Sequence, residues 1–382
     1  MNLTQPLLNH LTPAQFLAEY WQKKPLLIRQ AIPKFSGLLD PNELAGLACE
    51  DDVQARLVSV KKGQWQVRNG PFEEADFAKL PQKDWTLLVQ GVNHYLPGAA
   101  ALLARFNFIP HARLDDLMVS YAPKGGGVGP HFDSYDVFLL QGLGRRNWKI
   151  SMQRDCMLIE GAPLKILQDF KTEQEWVLEP GDMLYLPPQV AHWGIADSDD
   201  CMTYSIGFRA PSAQELGQEF LAYMQEQLCL SGMYADPDLT LQAHPAEISA
   251  VMVQKVAALL RQITWHDDHV ADFLGRYLSE PKPHVLFEPN RKISEAKFAE
   301  SLRAKTLQLD LKSQMLFWQD CFYLNGELFG EKTSALQANI HAALQAMADS
   351  RILHAANLNH DEIALLAQWF YPAYLAGYVE FT

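Results

Sequence analysis

The chain has 382 residues, 48% hydrophobic and 20% charged, enough for two or three domains with real cores, which excludes general disorder. Its 32 Lys and Arg against 45 Asp and Glu give a net charge of −13, an acidic surface that repels nucleic acid and anionic membranes and favours basic partners. The first residues show no basic stretch leading into an apolar run, and the most apolar stretch (363–379) is broken by Gln368 and Pro372. The five cysteines (Cys49, Cys156, Cys201, Cys229, Cys321) form no CxxC pair. The expectation is a reduced, cytoplasmic protein with no membrane segment.

The chain order begins with a helix. Thr12 is its N-cap and Pro13 its first residue, and Phe16, Leu17, Tyr20 and Trp21 recur at helical spacing until Lys23-Lys24-Pro25 ends it. A short strand follows at Leu26-Leu27-Ile28. From about residue 57 the pattern changes to short apolar runs between Gly and Pro, with predicted strands at 57–60, 65–68, 117–121, 135–141, 146–152, 175–178, 183–186 and 202–208. Many short strands with turn signals argue for an all-β barrel or sandwich.

After Pro211 helices return. Ser212 caps one with Glu215 at the capping-box position, and Leu216, Phe220, Leu221, Met224 and Leu228 make one apolar stripe. Further helices are predicted at 245–262 and 270–278. Residues 281–292 carry three prolines and read as a linker with a short strand in it. The remainder combines helices at 294–304, 334–347 and 361–369 with β patterns at 315–324 and 326–329, a small α+β domain. The expected division is 1–211, 212–280 and 281–382.

The chemistry concentrates in Gly125-Gly126-Gly127-Val128-Gly129-Pro130-His131-Phe132-Asp133. In extended chain residues i and i+2 share a face, so His131 and Asp133 can reach one point. Downstream, an apolar strand stopped by Pro187-Pro188 is followed by His192, which places a second imidazole at a strand mouth. Two imidazoles and one carboxylate on one side of a metal leave the other side open, as in non-haem Fe(II) oxygenases. The rival explanation is a buried hydrogen-bonded pair with a stray histidine. A second HxD, His266 and Asp268, lies between two helical segments with no strand-borne partner and reads as a solvated helix start.

The glycine run lacks a following helix and a Lys-Ser/Thr pair, so it is no phosphate loop. Glycines there let the backbone pass close to the site, admit a substrate, or simply turn. If 2-oxoglutarate fills the open metal positions, its far carboxylate needs a cation, and Arg146 at the start of a barrel strand offers a planar fork. Arg209 is the rival; Arg145 and Lys149 fall on the opposite face. Ser120, Thr203 and Ser205 present hydroxyls on apolar strands, and Tyr135 and Asp136 are candidates for the substrate mouth.

The runs DDLMVSYAPKGGGVGPHFDSYDVFLLQGLGRRNWKI, LEPGDMLYLPPQVAHWG and SIGFRAP resemble the bacterial ribosomal oxygenases of the YcfD type, JmjC members of the cupin superfamily, and the likeness extends over the whole chain. The resemblance implies a mainly β N-terminal double-stranded β-helix (jelly roll), a helical dimerisation region and a small winged-helix-like C-terminal domain. It carries the iron ligands to His131, Asp133 and His192, the 2-oxoglutarate arginine to Arg146, where many relatives have lysine, and a cosubstrate-contacting serine to Ser120. Phe132, Ala122 and Thr203 depart from the family pattern without touching a ligand position. The implied activity is hydroxylation of an arginine in the large-subunit ribosomal protein numbered sixteen, with Fe(II), 2-oxoglutarate and molecular oxygen, by a homodimer.

Two other classes use the same residues: a zinc hydrolase on the same three ligands, and a nucleic-acid-binding winged-helix regulator with a cupin sensor. The hydrolase needs a general base and no 2-oxoglutarate. Residues 281–382 hold nine Lys and Arg against eleven Asp and Glu, with no basic stripe beyond Arg291-Lys292, so direct DNA binding is not expected.

Overall fold

A computed structural model describes residues 7–61, 63–330 and 338–382. Helix α1 (Pro13–Glu19) starts as its sequence dictates: Gln15 N donates to Thr12 Oγ1 at 3.2 Å and Thr12 N to Gln15 Oε1 at 2.9 Å. Strand β1 (Leu26–Ile28), α2 (Pro41–Leu47), β2 (Ala55–Lys61), β3 (Gln64–Asn69), α3 (Glu74–Phe77), β4 (Trp85–Val89) and α4 (Pro97–Leu103) follow. The barrel continues with β5 (Leu114–Ala122), β6 (Asp136–Leu143), β7 (Arg146–Ser151), β8 (Gln174–Leu178), β9 (Met183–Leu186), β10 (Ala191–Ala196) and β11 (Cys201–Phe208).

These strands form an eight-stranded sheet in the order β1-β9-β6-β11-β5-β4-β2-β3 and a three-stranded sheet β10-β7-β8, all with antiparallel neighbours. The sheets stack face to face, because Trp148 and Ile150 of β7 share a buried cluster with Val137 and Leu139 of β6 and Leu184 and Leu186 of β9. The result is the double-stranded β-helix.

Strand β6 shows why the barrel sequence reads as nearly continuous apolar runs. Its odd residues Val137 and Leu139 face the small sheet, while Phe138 and Leu140 face a second core beneath α1. There the rings of Phe16, Phe106, Phe138 and Tyr185 pack at centroid distances of 4.9–5.5 Å. Burying a phenylalanine this fully is worth roughly 2–3 kcal/mol. Asp136 belongs to the even face, so it does not line the substrate mouth. It is buried, accepting from Tyr185 Oη at 2.6 Å and Gln22 Nε2 at 2.9 Å and pairing with Arg113. Its role is structural.

The rest of the chain contributes α5 (Ala213–Gln227), α6 (Ala250–Leu260), α7 (Asp267–Ser279), α8 (Glu295–Ala304), β12 (Leu307–Leu309), β13 (Met315–Trp318), β14 (Cys321–Leu324), β15 (Glu327–Phe329), α9 (Ala338–Ser350), β16 (Ile352–Leu353), α10 (His360–Leu375) and β17 (Val379–Phe381). The chain divides into two compact units. One comprises Met1–Ala210, Pro281–Ser313 and Ser350–Thr382; the other comprises Pro211–Glu280 and Gln314–Asp349. The first contains the barrel and the sheet β16-β12-β17, the second the meander β13-β14-β15 with α5, α6, α7 and α9.

Three expectations need correction. Residues 281–292 contain no strand, since prolines at three of twelve positions remove ladder donors. Helix α6 begins after its Ser249 cap rather than at 245. Strands β4 and β10 were not anticipated. The expected helix over 334–347 is seen from Ala338; residues 334–337 lie outside the described residues. Among the described residues no helix is long and apolar enough to cross a membrane.

Candidate metal centre and its cavity

The loop carrying His131 runs against β10. Gly125 N donates to Ala196 O and Ala196 N to Gly126 O, both at 2.9 Å. The approach is close enough that a Cβ on Gly126 would collide with the Trp85 carbonyl, and one on Gly127 with the Gly194 carbonyl. The glycines therefore serve a tight backbone passage beside the site.

That passage ends in a two-residue bridge: His131 N donates to His192 O at 2.9 Å and His192 N to His131 O at 2.7 Å. His192 is the second residue of β10, inside a strand rather than at its mouth, and it faces inward with Gly194. Asp133 lies in the turn before β6, its carbonyl accepting from Gln189 N at 2.8 Å. Backbone hydrogen bonds thus fix all three positions.

The two rings are oriented in the same way. His131 Nδ1 is 2.9 Å from the Gly129 carbonyl and His192 Nδ1 is 2.9 Å from the Val190 carbonyl. A carbonyl can only accept, so each Nδ1 carries a proton and Nε2 is the atom left to serve as a metal ligand. The Nε2 atoms turn to Asp133, at 4.0 Å from Oδ1 for His131 and 3.7 Å from Oδ2 for His192. Among the described residues this is the one group of three such side chains whose donor atoms converge, all within 4.8 Å. Burial, with the His131 imidazole beside it, pushes His192 down to about 4, so its ring is neutral at physiological pH. Two imidazoles with outward Nδ1–H bonds and one carboxylate make a donor set that fits a divalent first-row metal.

The three side chains line a cavity of about 510 Å³ between the sheets. Arg146, Trp148, Ser120, Thr203, Ser205 and Tyr135 also line it, together with apolar Val128, Phe132, Leu139, Leu158 and Ile159. Arg146 is buried, with Nε donating to the weak acceptor Cys201 Sγ at 3.4 Å and the guanidinium 5.8 Å from the Trp148 ring centroid. Its Nη2 is buried without a partner. A desolvated cation with an unpartnered Nη2 calls for an anion in this cavity.

Arg209 is not brought to the cavity; its guanidinium faces Asp115 at 3.7 Å. Arg145 pairs with Asp197 and Lys149 with Glu175, on the face opposite Arg146. The Ser120 hydroxyl reaches Thr203 O at 3.5 Å, and Thr203 Oγ1 donates to Gln141 Oε1 at 2.9 Å. The second HxD is a helix start: His266 caps α7, and Asp268 lies in its first turn.

Several lining residues escaped the sequence. Arg56 and Thr86 come from β2 and β4, and Leu164, Lys165 and Ile166 from a segment tied back by the Leu158–Leu167 bridge. Trp148 could have been found, since it is two residues from Arg146 and shares its face.

Comparison with known proteins agrees with this geometry. Residues 101–216 match the JmjC domain family and residues 262–376 the ROXA-like winged helix family. The chain is 36% identical over 351 residues to the ribosomal protein uL16 3-hydroxylase of Escherichia coli K12, covering 90% of both proteins. The crystal structure of E. coli YcfD superposes with a TM-score of 0.83 at 34% identity, over 98% of this chain and 99% of that one. The structure of YcfD, a ribosomal oxygenase, in complex with cobalt and 2-oxoglutarate gives a TM-score of 0.80 at 34% identity, over 97% and 98%.

Proposed function

The chain belongs to the JmjC ribosomal oxygenases, the family of the E. coli ribosomal protein uL16 3-hydroxylase, and from that premise we propose that it hydroxylates an arginine side chain of uL16 using Fe(II), 2-oxoglutarate and oxygen. The observation that carries this reading is the pairing, in one cavity, of an open His131-Asp133-His192 face with the buried, unpartnered Nη2 of Arg146. Fe(II) with 2-oxoglutarate, when bound, supplies the oxidation of an unactivated C–H bond, with succinate and carbon dioxide as co-products.

The chain's own residues supply position and a dry site. His131, Asp133 and His192 hold the metal from one side, and the Gly129 and Val190 carbonyls keep both imidazoles in the donating tautomer. Arg146 holds the far carboxylate of the cosubstrate, with Ser120 on the facing strand. Val128, Phe132, Leu139, Leu158 and Ile159 exclude water from the space between. Tyr135, with its ring at the surface, borders the opening through which a side chain would enter. A net charge of −13 suits encounter with a basic ribosomal protein.

The hydrolase alternative is less well served. Apart from the three metal-site residues, no carboxylate or imidazole lines the cavity among the described residues, and a general base would have to be Tyr135 or Lys165. The test is intact-protein mass spectrometry of large-subunit ribosomal proteins after incubation with the enzyme, Fe(II), 2-oxoglutarate and air. One added oxygen on uL16, mapped to an arginine by fragmentation, is the expected result. Modification of a different residue type would retain the oxygenase and discard the arginine.

We also propose a homodimer formed through the helical region. Helix α6 buries none of its residues, Val251 and Val253 are 53% and 56% exposed, and Leu221 of α5 is 64% exposed. Such a surface asks for a cover. Sedimentation velocity is expected to show a dimer for the wild type and a monomer for Val251→Asp. A monomeric wild type at micromolar concentration would refute the assembly.

A further inference from the structure

The cavity holds more unsatisfied donors than Arg146 alone. Among the described residues, Thr86, Arg146, Trp148 and Arg56 line it, and each has a buried side-chain atom without a hydrogen-bond partner: Thr86 Oγ1, Arg146 Nη2, Trp148 Nε1 and Arg56 Nε. A buried polar group left unpaired is destabilising, and native proteins seldom tolerate one. Each of these groups can donate, so the complementary ligand is rich in acceptors.

The strand registers show where two of them lie. Leu88 of β4 stands opposite Ser120 of β5. Thr86 is the next residue on that face, and because the strands are antiparallel it advances toward Ala122. Ala122 is opposite Cys201, whose Sγ accepts from Arg146 Nε at 3.4 Å. Thr86 is therefore on the Arg146 side of Ser120. Trp148 is next to Arg146 on the inner face of β7, 5.8 Å from ring centroid to guanidinium. Its ring is also 5.9 Å from that of His192, so it stands between the cation and the metal site. Gly194 makes room for it: a Cβ there would strike the indole. Arg56 is one strand further out, opposite Leu88, and half-buried.

We propose that Thr86 Oγ1 and Trp148 Nε1 are cosubstrate-binding donors, each hydrogen-bonded to the far carboxylate of 2-oxoglutarate beside Arg146. The inference rests on the reading of this cavity as a 2-oxoglutarate site and goes beyond it in naming two further residues. Three donors from β4 and β7 converging on one carboxylate satisfy atoms that otherwise stay orphaned, and they select a dicarboxylate over a monocarboxylic keto acid.

The test compares two keto acids that share the keto-acid end. Zn(II)-loaded protein is titrated calorimetrically with 2-oxoglutarate and with 2-oxobutyrate, which lacks the far carboxylate. Thr86→Val and Trp148→Phe are each expected to weaken 2-oxoglutarate binding by roughly tenfold or more. Both are expected to leave 2-oxobutyrate within about twofold, and Thr86→Ser to retain wild-type binding. Equal weakening of both ligands would show that the residues only shape the cavity, and unchanged binding of both would show that they touch nothing; either overturns the inference. A wild type that binds neither keto acid would overturn the 2-oxoglutarate reading itself.

Discussion

Replacing Asp133 by alanine is expected to abolish hydroxylation and to lower metal affinity by more than ~100-fold, a larger loss than follows removal of an outer-shell partner. Asp133 is the only anion of the three, and without it two imidazoles remain, each held through Nδ1 by a backbone carbonyl. The fold should survive. The backbone bond from Gln189 N to Asp133 O does not involve the side chain, and the carboxylate is partly exposed. Its Oδ2 is 3.7 Å from the Nε2 lone pair of neutral His192 and its Oδ1 is 4.0 Å from His131 Nε2, too far for a hydrogen bond to either ring. The metal-free variant should therefore melt at or above the temperature of the metal-free wild type, while added metal stabilises the wild type alone. Iron stoichiometry and paired melting curves, with and without metal, check both halves. A variant that melts much lower in the metal-free state would make Asp133 a structural residue.

What the sequence could convey depended on how locally each feature is encoded. His131 and Asp133 share a face by strict two-residue alternation, and the prolines before His192 mark the return of the chain, so the convergence of these three side chains was legible from spacing. Arg146 was legible because it opens a strand whose alternation separates it from Arg145 and Lys149. Thr86 was not, because β4 is a five-residue strand whose partners β2 and β5 are set by long-range pairing. Asp136 misled for a related reason: closeness in sequence to Asp133 suggested the mouth, whereas alternation along β6 turns it to the opposite core. In α5 the anticipated stripe of five apolar residues buries only Met224, and Leu221 stays outside. A helical period reports that a face is apolar without saying whether its own chain covers it. Strands β12, β16 and β17, of two or three residues, are too short to show any period at all.

Arg146→Met should have opposite effects on ligand binding and on stability. Arg146 is 5% exposed, its Nε rests on a thiol at 3.4 Å, and its Nη2 has no partner, so the ligand-free protein bears an incompletely paired buried cation. Methionine keeps the apolar stem beside Trp148 and removes that charge. The ligand-free variant is expected to gain about 1 kcal/mol, a rise of about 2–4 °C in Tm. The loss appears with the ligand. A charge-assisted, two-pronged hydrogen bond is roughly twice as strong as a neutral one, so the KM for 2-oxoglutarate should rise about 100-fold or more. With Arg146 holding the end of the cosubstrate remote from the metal, as proposed, kcat at saturating 2-oxoglutarate should change much less. Wild-type protein at 100 times its Kd for 2-oxoglutarate should be stabilised by about 2.7 kcal/mol, and the variant at the same concentration hardly at all. The two melting curves should therefore exchange order when 2-oxoglutarate is added, whereas a purely structural Arg146 would leave the variant the less stable with or without ligand.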